Sequence, residues 1–271
     1  MGLCEIISGE KTSEATLAKA VDYVLAIRKT PIAVNDSRGF YTSRCFGTYT
    51  REGMEMLAEG IKPAIIENVG RQSGMPMGPL EVSDSVGLDT ALKVTRATAE
   101  AAGIDLQTDD RTQFLAWLVE DQERVGRKAG KGFYDYNEKG KPERLWPDLN
   151  TQLEVKVDEC PPDLKKELTN RFLIRQGVEV ARCFEEGVIT DARDADIGSI
   201  LAWGFAPYTG GCCSYIDLMW GIKEFVAEAD KLADKYGDRF RPGDLLRDMA
   251  SKGEGFYDRF PPAGKAEKAA A

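Results

Sequence analysis

Chemistry at a protein site needs groups that move protons, attack carbon or hold ions, and this chain carries an uneven set of them. Its 271 residues include 45 Asp and Glu but no histidine. Without an imidazole, Ser-His-Asp and Cys-His devices are closed to the chain acting alone, and the usual zinc ligand sets cannot be assembled. No metal site is expected. The six cysteines, Cys4, Cys45, Cys160, Cys183, Cys212 and Cys213, include no CxxC pair and are expected to be reduced, buried thiols. Vicinal Cys212-Cys213 is expected to fill core space rather than to cycle between redox states. No GxGxxG motif follows a strand and no Walker loop occurs, so no glycine cradle for a pyrophosphate is present. Carboxylates could still do acid or base work. Composition singles out none of them.

One basic cluster, Arg124, Arg127, Lys128 and Lys131, is threaded with Gly126, Gly130 and Gly132 just before Phe133-Tyr134. It is either a contact for a phosphate-bearing ligand or a solvated helix end whose cations complement the helix dipole. A net charge of −9 opposes a nucleic-acid partner or an anionic membrane surface. No apolar run approaches the roughly 20 residues that span a bilayer, and the N-terminus lacks the charged start and cleavage site of a signal peptide. A cytoplasmic location is expected.

The elements that must position these groups begin with a strand at Leu3–Ile7, a helix opened by Ser13 and running through Leu17, Val21, Val24 and Ile27, and a second strand at Ile32–Val34. Such a parallel unit is marginal alone, because parallel sheets need cover on both faces. A chain that opens inside a strand is expected to continue a sheet whose earlier strands lie upstream. From Gly39 the pattern turns helical, with candidates at Phe40–Glu59, Ala64–Gln72 and Leu88–Ala102. Gly74–Pro79 forms a corner between helices, since glycine supplies positive φ and each proline pushes its predecessor out of helical geometry. Phe133–Tyr136 is expected to be extended.

The motifs then come round twice. Ser43-Arg44-Cys45-Phe46 is followed by Glu52-Gly53-Met54-Glu55, Glu59-Gly60-Ile61, Gly74-Met75-Pro76-Met77-Gly78-Pro79 and Gly132-Phe133-Tyr134-Asp135. Asn170-Arg171-Phe172-Leu173 is followed by Gly177-Val178-Glu179, Glu186-Gly187-Val188-Ile189, Gly204-Phe205-Ala206-Pro207, Asp217 and Gly255-Phe256-Tyr257-Asp258. The period of about 125 residues is one small domain, so the chain is expected to hold two related helical units.

Met1-Gly2-Leu3-Cys4-Glu5-Ile6-Ile7, Thr30-Pro31-Ile32-Ala33-Val34-Asn35-Asp36 with Gly39-Phe40, the Gly74–Pro79 segment with Asp84, and Val86-Gly87-Leu88-Asp89 together resemble a 3-hydroxyacyl-CoA dehydrogenase. Lys131-Gly132-Phe133-Tyr134-Asp135-Tyr136 and its degenerate second copy resemble the C-terminal half of the multifunctional fatty acid β-oxidation alpha subunit. The resemblance implies a mainly α fold of two repeated helical C-terminal domains after a short β-α-β remnant of a Rossmann-type sheet. Its expected divisions are residues 1–36 for the terminal part of the NAD-binding domain, 37–137 for the first helical domain, 138–163 for a connector, 164–260 for the second helical domain and 261–271 for a disordered tail.

It further implies NAD-dependent oxidation of 3-hydroxyacyl-CoA to 3-oxoacyl-CoA. In that family a histidine near the end of the NAD domain takes the hydroxyl proton and a glutamate orients the imidazole; Glu5 matches the glutamate, and the histidine would fall before Met1. A carboxylate beside imidazole fixes its tautomer and stabilises the imidazolium. Family members carry asparagine before the arginine matched by Arg44, bonding the substrate's 3-oxygen, and Ser43 stands there, able to donate the same bond over a shorter reach. Asn170 holds the place in the second copy, with no active site expected beside it. The chain alone is expected to be inactive, with its cofactor-binding residues elsewhere. An acyl-CoA substrate and a homodimer or a complex with a thiolase subunit are the implied partners. The alternative is a non-catalytic helical module for dimerisation or scaffolding.

Overall fold

In the computed structural model, which describes residues 2–106 and 109–262, the chain opens with two parallel strands and is otherwise mainly helical. The expected tail lies outside the described residues from position 263 onward. Strand β1 (Leu3–Ser8) pairs with β2 (Thr30–Asn35) so that Glu5 stands opposite Ile32. Helix α1 (Glu14–Ala26) connects them and starts where expected, because the Ser13 hydroxyl accepts the Thr16 N–H at 3.2 Å. The helices that follow are α2 (Thr42–Ala58), α3 (Pro63–Gln72), α4 (Pro79–Val86), α5 (Leu88–Ala102) and α6 (Asp110–Ala116), the last running into a π turn at Trp117–Asp121. Strands β3 (Tyr134–Tyr136) and β4 (Pro142–Leu145) pair antiparallel. Then come α7 (Leu149–Gln152), α8 (Pro162–Glu185), α9 (Ala192–Trp203), α10 (Cys212–Ser214) with a π turn at Tyr215–Trp220, α11 (Ile222–Tyr236), α12 (Asp244–Lys252) and α13 (Phe256–Arg259).

The fold divides into two units, one of Met1–Tyr49, Gly74–Pro76 and the chain from Asn170, the other of Thr50–Ser73 and Met77–Thr169. In the first, α1 and α9 pack on β1 and β2. The approach of α9 is close at Gly198, where a methyl group would meet Ile32 Cδ1 at 2.9 Å and Tyr41 Cε1 at 3.0 Å. Tyr41, Cys45, Phe172, Cys183, Phe205, Phe225 and Phe256 are wholly buried there, and the Tyr49 and Phe172 rings lie 5.0 Å apart. In the second unit Met56, Ile66, Leu80, Leu88, Leu118, Phe133 and Leu149 make the core. Cys212 and Cys213 are buried too, as core-filling residues.

Each unit holds a Gly-Phe-Tyr turn on two carboxylates, of which Glu67, Asp84 and Asp196 are buried and Asp217 is half-buried. In the second unit, Asp84 accepts the Phe133 N–H at 2.8 Å, the Tyr134 N–H at 2.9 Å and the Tyr136 hydroxyl at 2.9 Å, while Glu67 accepts the Leu80 N–H at 2.6 Å and the Tyr134 hydroxyl at 2.7 Å. In the first unit, Asp217 accepts the Phe256 N–H at 2.9 Å and the Tyr257 N–H at 3.1 Å. Asp196 there accepts the Cys213 N–H at 2.6 Å and the Tyr257 hydroxyl at 2.9 Å. Buried carboxylates need such donors, since an unpaired charge in a core is costly.

Within the basic cluster Arg127 and Lys128 are exposed in a short helical turn, in line with the solvated helix end, whereas Arg124 fits neither reading. Arg124 is buried, donating from Nε to the Gly132 carbonyl at 2.6 Å and from its terminal nitrogen to the Tyr134 carbonyl at 3.0 Å and Asp135 at 2.7 Å. Its guanidinium also lies 4.3 Å from the Trp146 ring centroid, a cation–π contact. Arg124 therefore braces the turn that follows it. Residues 138–163, expected as a plain connector, contain β4 and α7. Among the described residues no helix is long and apolar enough to cross a membrane.

Candidate active site

Glu5 projects from the middle of β1, and its carboxylate closes on the start of α2. Oε1 accepts the Tyr41 N–H at 2.9 Å and the Thr42 N–H at 3.0 Å, and Oε2 accepts the Thr42 hydroxyl at 2.7 Å. The first N–H groups of a helix have no partner inside it, and the dipole places partial positive charge there, so a carboxylate is a natural acceptor. Glu5 is thus a half-buried carboxylate with three donors, not the exposed strand-end charge that an isolated acidic residue would be. A carboxylate offers about four acceptor positions, which leaves room for roughly one more N–H or O–H donor.

The chain reaches this point through a strained turn. Gly39 takes φ +84°, and Phe40 takes φ +49°. A left-handed Phe is disfavoured by its Cβ, and such strain collects where surrounding structure over-determines the backbone. The Phe40 N–H donates to the Ser37 carbonyl at 3.0 Å, while the buried Ser37 hydroxyl has no partner. Tyr41, next along, is fixed from below: it is wholly buried, donates its hydroxyl to the Ala195 carbonyl at 2.8 Å and meets Trp203 edge-on at 5.4 Å. Burial pushes its phenol well above the usual range, so it stays neutral and cannot act as a base.

Ser43 follows Thr42 in the first turn of α2 and is exposed. The structure therefore brings Glu5, on β1, to the turn that carries Ser43: Glu5 is bonded to Thr42, and Ser43 is the next residue in the chain. Arg44 anchors that turn, donating from Nε to Glu179 at 2.6 Å and from a terminal nitrogen to Glu186 at 2.7 Å. The Glu186 pairing raises the guanidinium above its ordinary range and holds the Glu186 carboxyl below its own. Asn170, which the sequence motifs align with Ser43, is buried and donates to Glu228 at 3.1 Å. Sequence reasoning missed Tyr41 and Thr42, which hold Glu5. The available signal was a hydroxyl residue directly before Ser43 at a helix start.

Among the described residues no glycine-rich cradle for a dinucleotide is formed. The turn after β1 closes on itself, its Gly9 N–H donating to the Thr12 hydroxyl at 3.0 Å and its Ser13 hydroxyl capping α1. Its donors are used locally, and no glycine-rich cradle accompanies them. No step through a nicotinamide is derived from this chain.

A family model described as the 3-hydroxyacyl-CoA dehydrogenase C-terminal domain matches residues 39–136, and one described as the NAD binding domain of the same family matches residues 1–37. The fatty acid oxidation complex subunit alpha of Pseudomonas savastanoi pv. phaseolicola is 38% identical over 260 residues, 95% of this chain and 36% of the relative. The protein of that name from Shewanella frigidimarina is 36% identical over 259 residues, 96% of this chain and 36% of the relative. The chain thus spans about a third of the length of these relatives. The structure of 3-hydroxybutyryl-CoA dehydrogenase from Escherichia coli K12 superposes with a TM-score of 0.70 at 20% identity, covering 93% of this chain and 68% of that one. The dehydrogenase part of multifunctional enzyme 1 from C. elegans gives 0.66 at 24%, covering 92% and 56%. At those identities the two structures speak for the fold. With the family models and the curated relatives, they place the protein: the chain belongs to the 3-hydroxyacyl-CoA dehydrogenase family, of which it carries the C-terminal region.

Proposed function

We propose that this region serves an NAD-dependent dehydrogenase that converts 3-hydroxyacyl-CoA to 3-oxoacyl-CoA in fatty acid β-oxidation. The observation that carries the reading is the Glu5 carboxylate, held by three donors at the start of α2 with acceptor capacity left for one more. Glu5 would take an imidazole N–H supplied from outside residues 1–271, and Ser43 would donate to the substrate's 3-oxygen. The dinucleotide, when bound, supplies the hydride acceptor. This chain's part is to hold the carboxylate, present the substrate-facing turn and form assembly contacts.

We further read residues 37–137 and 164–260 as two copies of one helical domain, after a sheet segment at 1–36. The paired carboxylate turns support this, Glu67 and Asp84 corresponding to Asp196 and Asp217. Left-handed glycines recur as well, with φ +89° at Gly60 against +69° at Gly187 and +104° at Gly87 against +84° at Gly221. The reading as an assembly module for a homodimer or a complex with a thiolase subunit is favoured by Leu218 and Met219, which are 80% and 52% exposed. The two roles are compatible, and a cytoplasmic location fits both.

The test is complementation. The NAD-binding portion of the Pseudomonas savastanoi relative is mixed with this chain, and NADH oxidation is followed with acetoacetyl-CoA. Turnover from the mixture and none from either part alone is expected. A mixture that forms a complex but gives no turnover would overturn the reading.

A further inference from the structure

We propose that Thr42 is a positioning residue for Glu5, its hydroxyl fixing the rotation of the carboxylate so that the remaining acceptor position faces a single incoming N–H donor; this rests on the reading of Glu5 above. The argument is geometric. The two N–H groups of Tyr41 and Thr42 both fall on Oε1, at 2.9 and 3.0 Å, and pin one oxygen. With Oε1 alone anchored, concerted changes of the side-chain torsions, the last of which is broad for a glutamate, still let Oε2 move around that anchor. The Thr42 hydroxyl removes that freedom by donating to Oε2 at 2.7 Å, a short bond of the charge-assisted kind.

Thr42 is itself held. It lies between Tyr41, buried with its hydroxyl on the Ala195 carbonyl, and Arg44, paired with Glu179 and Glu186. A β-branched side chain in a helix keeps few χ1 states, and threonine alternates between two according to the bond its hydroxyl makes. With Glu5 as acceptor one state is chosen. The same turn presents Ser43, so the hydroxyl on Glu5 and the hydroxyl assigned to substrate sit on consecutive residues of a single anchored turn. A shift of that turn would move both together.

Thr42→Val removes the hydroxyl and keeps the branched shape; Thr42→Ser keeps the hydroxyl. The first readout uses this chain alone, with glutamate labelled at the carboxyl carbon and the Glu5 line identified by its loss in Glu5→Gln. Thr42→Val is expected to move and broaden the Glu5 line, and Thr42→Ser to leave it in place. A Glu5 line unmoved by Thr42→Val would overturn the proposal. The second readout uses the complemented enzyme, where Thr42→Val is expected to lower kcat about tenfold with KM for acetoacetyl-CoA within about twofold, and Thr42→Ser to restore kcat. A Thr42→Val enzyme with full kcat, or an equal loss in Thr42→Ser, would also overturn it. The absence of turnover in the wild-type mixture strikes the proposed function instead, and the carboxyl line still decides the role of Thr42.

Discussion

Asp84 shows how far a single residue's surroundings set its chemistry. Burial pushes its carboxyl up to about 6, against the lowering influence of the Tyr134 and Phe133 N–H groups and the Tyr136 hydroxyl. Burial likewise raises Glu67, Asp196 and Asp217. Unfolded, Asp84 releases its proton at about 3.9. Between about pH 4 and 6 Asp84 therefore keeps a proton in the folded chain that it has lost in the unfolded one, so its contribution to stability falls as pH rises through this window and levels off above it. Urea unfolding is expected to show a loss on the order of 1–3 kcal/mol from Asp84 across the window. Asp84→Asn should flatten that slope while lowering stability overall, because an amide cannot accept from both N–H groups. A difference in stability between the wild type and Asp84→Asn that stays constant from pH 4 to 6 would contradict this account.

At the scale of elements, the glycines of the two Gly-Phe-Tyr turns are among the positions with no room for a side chain. A methyl group at Gly132 would overlap the Asp84 carboxylate, and one at Gly255 would lie 2.7 Å from Asp217 Oδ2. Gly132→Ala is expected to cost roughly 2–3 kcal/mol, the scale of an overpacked site with a disturbed buried carboxylate, whereas Ala at Gly103, with open space around it, should cost about 1 kcal/mol for its left-handed φ. Equal losses in the two variants, read from urea midpoints, would show that the turn is not latched as described. Local signals made many elements legible beforehand: Ser13 capped α1, and helical spacing located α2, α3 and α5 within a few residues. Helix α4 was legible too, from Pro79 at its first position, yet went unread. Arg124 could not be placed from sequence, because its carbonyl partners and Trp146 meet it only once the turn at Gly132 has formed. Glu5 and Ser43 came from a family motif. Thr42 did not, since its partner lies 37 residues away and the bond depends on the register of β1.

At the scale of the whole molecule, the proposed function makes the chain one side of a reaction centre: a carboxylate fixed by three donors and a turn assigned to substrate, in a sequence with neither histidine nor GxGxxG motif. The chain alone is therefore expected to give no NADH oxidation with acetoacetyl-CoA even at high concentration. The proposed assembly role predicts that Leu218→Asp combined with Met219→Lys shifts the species seen by light scattering towards the monomer, and an unchanged mass would remove those residues from the contact.

The central claim is that Glu5 orients the catalytic base of a 3-hydroxyacyl-CoA dehydrogenase, and the most direct test is kcat for acetoacetyl-CoA in the complemented enzyme with Glu5→Gln. Gln keeps the size of the side chain but removes the charge that stabilises an imidazolium, so kcat should fall about 100-fold or more while KM changes little. A Glu5→Gln enzyme that turns over at the wild-type rate would show that the carboxylate merely caps α2, and the account would fail at its centre.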